Sequence, residues 1–164
     1  WARSNTTVAV PESQIADAER ELRRLLDRQS GERPYALREE LGASMLENYG
    51  VFRREDRMLR QKEIVAGLRE RYRNVYVEDK GSVFNNDLTQ AIELGALLDV
   101  AACMLEGGIA RKESRGAHSR PYDFPDRDDE HFLKHSISRW QDGGPELTYK
   151  EVRMTRWTPE ERKY

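Results

Sequence analysis

From Leu88 to Lys112 the chain is rich in Ala, Leu and Ile, and over most of that length only Glu93, Asp99 and Glu106 interrupt it. No other stretch constrains the fold as much. At about 1.5 Å per residue, a helix over 88–112 is roughly 37 Å long. A helix apolar on all sides is normally surrounded by neighbours. Its start is marked by Asp87 with Gln90 three residues on, a capping box, while Asn85 and Asn86 offer alternative caps. Gly95, Gly107 and Gly108 fall inside the stretch. Glycine in a helix interior points to close approach by a neighbouring backbone or to a bend.

The sequence before it supplies the neighbours. Pro11 suits a first helical turn. From Glu12 to Arg28 the apolar residues Ile15, Ala18, Leu22, Leu25 and Leu26 recur at spacings of three and four, which puts one stripe on a helix. "SGERP" at 30–34 ends it, because the residue before a proline is biased out of the helical region. A second helix is predicted from Tyr35 to Tyr49 with Leu37, Leu41, Met45 and Leu46 inward, stopped by Gly50. A third runs from Glu55 to Arg73 with Met58, Leu59, Ile64, Val65, Leu68 and Tyr72 inward. "NVYVEDKGSVF" connects it to the apolar helix.

Beyond Gly116 the texture changes. "PYDFPDRDDE" carries two prolines and five acids and forms no regular element. "HFLKHSISRW" (131–140) reads as a strand, "QDGGP" as a turn, and "ELTYKEVRMTRW" (146–157) as a second, alternating strand. Such a hairpin is marginal alone and must pack on the helices or on a partner. The expected fold is mainly α, a spectrin-like three-helix bundle of up to four helices with a small C-terminal β-hairpin or extended subdomain.

Composition excludes several functions. The 164 residues carry a net charge of −2 and are 37% hydrophobic and 35% charged, which allows one small core. No global field draws such a chain to nucleic acid. Basic runs such as "RELRRLLDR" are mixed with acids and read as solvated helix faces. No run of about 18 apolar residues suggests a membrane span. The one cysteine, Cys103, sits in "DVAACML" and reads as a buried, inert thiol in a reducing compartment. Asn5-Thr6-Thr7 matches a glycosylation sequon, without force in the absence of secretion. The chain begins at Trp1, which looks like the interior of a longer protein.

The candidate site is "RKESRGAHSR", 111–120. Ser114 and His118 suggest a nucleophile and base, but the surroundings lack the G-x-S-x-G elbow and a third, orienting group. His131 and His135 lie near several Asp residues, yet in a strand they are too far apart to share a metal. The basic cluster Arg111, Lys112, Arg115, His118 and Arg120 remains. Cations suit a helix's last turn. Arginine at a corner suits holding carbonyls or a carboxylate through its planar fork, with Glu113 a local partner. Arg111, Glu113, Ser114, Arg115 and His118 are therefore expected to form a structural clamp or an interface, with no catalytic, cofactor-binding or metal residue among them.

"VFNNDLTQAIELGALLDVA", then "ESRGAH", then the acidic "FPDRDD" resemble the C-terminal region of succinate dehydrogenase and fumarate reductase flavoprotein subunits. "LRRLLDR" and "MLENYGVFR" are similar to that family's first two bundle helices, and the closing "TYKEVRMTRWTPEERKY" to its ending with a terminal Arg-x-Tyr. Ala96 and Asn86 depart from the common Asn and Thr of the pattern. The resemblance implies a parent enzyme that moves a hydride between succinate or fumarate and FAD, then passes electrons to an iron–sulfur subunit and a quinone. It implies that the FAD-binding and capping domains precede this region, so FAD belongs to the parent and no cofactor to this piece. The division it suggests is 1–10 as an extended lead-in from an N-terminal flavin domain, 11–113 as the bundle and 114–164 as the C-terminal subdomain. Implied partners are the flavin domain of the same subunit and the iron–sulfur subunit, with a membrane anchor only indirectly and no nucleic acid. The implied location is cytoplasmic, on the inner face of the membrane. L-aspartate oxidase, with a similar C-terminal bundle, is the near alternative; a free-standing helical interaction module is the alternative of another class.

Overall fold

The computed structural model describes residues 9–141, 144–157 and 160. Its elements run α1 (Glu12–Asp27), α2 (Pro34–Tyr49), α3 (Glu55–Tyr72), α4 (Asn86–Ala110), the single turn α5 (Asp129–Phe132), β1 (Lys134–Gln141) and β2 (Gly144–Glu151). The mainly α architecture with a small hairpin is the expected one. The sequon, most of the lead-in, the centre of the "QDGGP" turn and the terminal Arg-x-Tyr lie outside the described residues.

Helices α2, α3 and α4 pack against one another, and the hairpin packs on α4. Leu37 and Leu41 of α2, Met58, Val65 and Leu68 of α3, and Leu94, Leu98 and Leu105 of α4 are buried between them. The α3–α4 connector adds Val75 and Val77. One polar contact is sealed inside: Gln61 takes a 2.9 Å bond from Asn48 Nδ2 and donates to Ser44 Oγ at 2.8 Å. Burial without pairing would cost each amide, so the three side chains satisfy one another.

Helix α1 is different. Every residue from Glu12 to Arg20 is exposed, and only Leu25 of its apolar stripe is buried. Its last turns are tied down by Arg24, which donates to the Arg73 carbonyl at 2.9 Å, and by Lys80, whose Nζ reaches the Arg28 carbonyl at 2.8 Å. The three-helix reading therefore describes the packed unit, and α1 is a fourth helix joined to it by one end.

Helix α4 is capped by Asn85, whose Oδ1 accepts from the Leu88 amide at 2.8 Å. Asp87 is turned instead to the connector, accepting from the Glu78 amide at 2.7 Å. Gly108 faces a side chain rather than a backbone: a Cβ there would lie 2.4 Å from Tyr49 Oη, which donates to the Met104 carbonyl at 2.7 Å. Three expectations fail on α4. By length and composition it does qualify as a bilayer span, although one side is core. Nor is it surrounded: Ile92, Leu97, Val100 and Met104 are exposed. Cys103 is half-buried, not buried.

The hairpin is antiparallel, in register from Lys134↔Glu151 to Gln141↔Gly144. It departs from the sequence reading at both ends. His131 and Phe132 belong to α5, because Asp128 caps that turn through a 3.0 Å bond from the His131 amide to its Oδ1. The second strand stops at Glu151, so Val152–Trp157 runs on without a strand partner.

Candidate functional site

The end of α4 is a corner built on charge. Glu113 is fully buried. Its Oε1 accepts from Arg111 Nη1 at 2.6 Å and Arg115 Nε at 2.8 Å. Its Oε2 accepts from Arg115 Nη2 at 3.0 Å and from the Asp128 amide at 2.9 Å. Burial alone would raise this carboxyl, but the bonds from Arg115, the Asp128 amide and Arg111 outweigh it and hold it below the ordinary glutamate range. Arg115 also pairs with Asp129. Arg111 reaches on to the hairpin, donating to the Phe132 and Lys134 carbonyls and to Ser136 Oγ, each at 2.9 Å.

The chain then folds back in a two-residue turn. Arg115 and His118 exchange both backbone bonds, at 2.8 and 3.0 Å, around Gly116 and Ala117. Gly116 has φ +57°, a region a side chain rarely adopts, and the space beside it is open. Glycine is there for its backbone and not for room.

His118 and Ser114 point to different partners. His118 Nε2 lies 3.0 Å from the Arg111 carbonyl oxygen, so it carries the proton and donates. Nδ1 is then an acceptor and takes a 2.7 Å bond from Arg53 Nη1. Ser114 Oγ donates to the Phe124 carbonyl at 2.8 Å and accepts from the Arg120 amide at 2.7 Å. The spacing that suggested a nucleophile and base instead distributes two fasteners.

Burial lowers the affinity of His118 for a second proton; the Arg111 carbonyl opposes this, while the charges of Arg53, Arg120 and Arg111 add to it. The folded value therefore lies below the ordinary 6.5. Between the two values the unfolded chain binds a proton that the folded chain does not, so stability is complete above about pH 6.5 and declines as pH falls through the folded value. Urea midpoints at about pH 7.5 and about pH 5.5 check this. The parent sequence is expected to lose stability on acidification, and His118→Gln to lose distinctly less; equal slopes would refute the assignment.

Sequence reasoning picked out Arg111, Glu113, Ser114, Arg115 and His118, and the geometry places all five in one network. It named Arg120 in the basic cluster but not in the clamp, although this residue is the centre of the second half. Arg120 is fully buried. Its guanidinium donates to Asp123 at 3.0 and 2.6 Å, to Glu55 Oε2 at 3.3 Å, and to the Ile109 and Arg111 carbonyls at 3.2 Å each. It also lies 4.6 Å over the Phe124 ring. Asp123 is held low by Arg120 and accepts from the Glu55 amide at 2.8 Å, which places a carboxylate at the start of α3. Arg53 was missed as well; its bond to the Ser119 carbonyl comes from the α2–α3 loop. His131 Nδ1 lies 2.9 Å from Asp128 Oδ2. No group of three metal-binding side chains occurs among the described residues.

A family model described as fumarate reductase flavoprotein C-term matches residues 38–164. The chain belongs to the fumarate reductase flavoprotein C-terminal family. The fumarate reductase flavoprotein subunit of Escherichia coli K12 is 41% identical over 162 residues, which are 98% of this chain and 27% of that protein. The succinate dehydrogenase flavoprotein subunit of Rickettsia conorii is 38% identical over 125 residues, 76% of this chain and 21% of that protein. The solved structure of E. coli quinol fumarate reductase FrdA superposes with a TM-score of 0.86 at 38% identity, covering 97% of this chain and 28% of that one. This fumarate reductase flavoprotein C-terminal domain thus spans about a quarter of the length of the relatives it matches.

Proposed function

We propose that the chain is the C-terminal helical domain of a flavoprotein subunit that interconverts succinate and fumarate through FAD. Electrons pass from there to an iron–sulfur subunit and a quinone. Membership of the fumarate reductase flavoprotein family carries this reading. The residues of the corner do not fit a flavin: Glu113 and Asp123 already occupy the guanidiniums of Arg111, Arg115 and Arg120, and the remaining forks hold backbone carbonyls. The flavin and the hydride chemistry are therefore assigned to the preceding part of the subunit. This domain scaffolds it: 11–113 forms the bundle, 114–164 the extended subdomain, and Arg111 and Glu113 are the seam between them. Arg115 and His118 hold that seam in the shape its neighbours meet. The partners are the flavin domain of the same subunit and the iron–sulfur subunit, which reaches the membrane anchor, on the cytoplasmic inner face of the membrane.

The test uses the full-length protein. It is expected to carry bound flavin, to oxidise succinate with a dye acceptor and to reduce fumarate with a reduced dye. Turnover of aspartate without succinate activity would make it an aspartate oxidase instead. A protein without flavin and inert on both would restore the interaction-module reading.

A further inference from the structure

The hairpin leaves one strand edge open. The Lys134 carbonyl is turned to Arg111 and away from β2. Hydrogen-bonded and non-hydrogen-bonded pairs alternate along an antiparallel ladder, so the odd-numbered residues of β1 bond to β2 and the even-numbered ones look outward. In the observed register, the backbone of Glu146, Thr148 and Lys150 then faces β1, whereas Leu147, Tyr149 and Glu151 turn their amides and carbonyls to the far side. Arg111 covers part of the outer edge of β1, at Lys134 and Ser136. Among the described residues nothing bonds the outer backbone groups of β2. Such an edge is a template for another strand. Its side chains mirror themselves about Thr148: Leu147 is matched by Tyr149, and Glu146 by the opposite charge of Lys150. Glu146, Thr148 and Lys150 are exposed on one face, and Tyr149 is 43% exposed on the other. Glu146 takes a 3.1 Å bond from Gln141, but among the described residues neither it nor Lys150 is in an ion pair.

We propose that β2 pairs antiparallel with β2 of a second copy of this chain, about a two-fold axis through Thr148, and joins two hairpins into one four-stranded sheet. In that register Leu147 of each copy exchanges both backbone bonds with Tyr149 of the other, and Thr148 meets Thr148 in a close, non-hydrogen-bonded pair. Glu146 faces Lys150 of the other copy once on each side of the axis, an opposite-charge pair of the kind that stabilises a sheet. The neighbouring registers lose this match. An axis at Glu146 or Lys150 opposes like charges. An axis at Leu147 sets Pro145, which has no N–H, against the Tyr149 backbone, and an axis at Tyr149 sets Leu147 against Glu151. A two-fold contact uses the same patch on both copies, so one strand that is complementary to itself is all it needs. Pro145 opposite Glu151 leaves the ladder incomplete at both ends, which makes the dimer one that forms and separates with concentration.

The experiment uses the full-length subunit, purified without its partner subunits. Sedimentation velocity from about 1 to about 100 µM is expected to show a reversible exchange of monomer and dimer. Glu146→Lys brings like charges together on both sides of the axis and should weaken the dimer about tenfold, as should Lys150→Glu. The double variant Glu146→Lys/Lys150→Glu restores the match and should recover the dimer. A monomer throughout that range, single reversals without effect, or a double variant no better than either single would each overturn the proposal. Cross-linking reads the register. On a Cys103→Ser background, Thr148→Cys should form a disulfide with Thr148→Cys of the second copy under mild oxidation, identified in the linked peptide by mass spectrometry. Lys150→Cys lies on the same face but about 14 Å along the sheet from its counterpart, and should not. Equal linking at both positions would place the contact on another surface and overturn the pairing. None of these readouts involves flavin or turnover, so a dimer in a protein inert on succinate would sink the enzyme and leave the pairing standing.

Discussion

Glu113→Ala is expected to destabilise the chain by about 3–5 kcal/mol, the range for breaking a buried ion pair from one side. The carboxylate sits out of solvent between Arg111 and Arg115 and also takes the Asp128 amide. Removing it leaves two like charges facing each other in a half-buried corner and an amide without its acceptor. Glu113→Gln keeps the shape but turns two donors toward donors, so it should recover little. The acid limb adds a second signature. Because the folded carboxyl is held low, its contribution is present above about pH 4.5 and is lost as pH falls through the folded value. Urea unfolding followed by circular dichroism should therefore show a shallower acid limb in Glu113→Gln than in the parent. A loss below about 1 kcal/mol for Glu113→Ala would show that the corner is ornamental to stability.

Arg120→Met should cost a similar amount, about 3–5 kcal/mol, for the mirror-image reason. Here the cation is the buried member, and its loss strands the Asp123 carboxylate and the carbonyls of Ile109 and Arg111. Arg120→Lys is not expected to rescue it, since one ammonium cannot replace a planar fork that reaches four residues. Pairing Arg120→Met with Asp123→Leu separates the penalty of an abandoned partner from the net worth of the pair. The double variant should be more stable than the sum of the two singles predicts. Strict additivity would mean that the two side chains act independently.

The helices were legible because their apolar residues repeat every three or four positions, and their ends fall within two residues of the structure's. Two things were not. The sequence of α4 shows apolar residues on every side, but periodicity cannot say which side has a neighbour in this piece of chain. The strand reading of His131 and Phe132 followed their β-compatible neighbours, whereas Asp128 captured them as a capped turn. At the corner, Glu113 was found because its partners lie two residues away on either side. Arg120 was seen only as one more base in a basic cluster, since its burial depends on Glu55, 65 residues earlier in the chain. Arg53 gave no local sign at all; His118 fixes its role across the same separation.

Those long separations bear on the order of assembly. The contacts within α2–α3 and α3–α4 close short loops, but the corner's links to Glu55 and Arg53 join residues 65 positions apart. Closing such a loop is favourable only once the bundle has brought its ends together. The corner is therefore a latch that snaps shut after the barrier has been crossed. Weakening those links should leave the folding rate nearly unchanged and speed escape from the native state, so that Arg53 and Arg120 govern how long the domain persists more than how fast it forms.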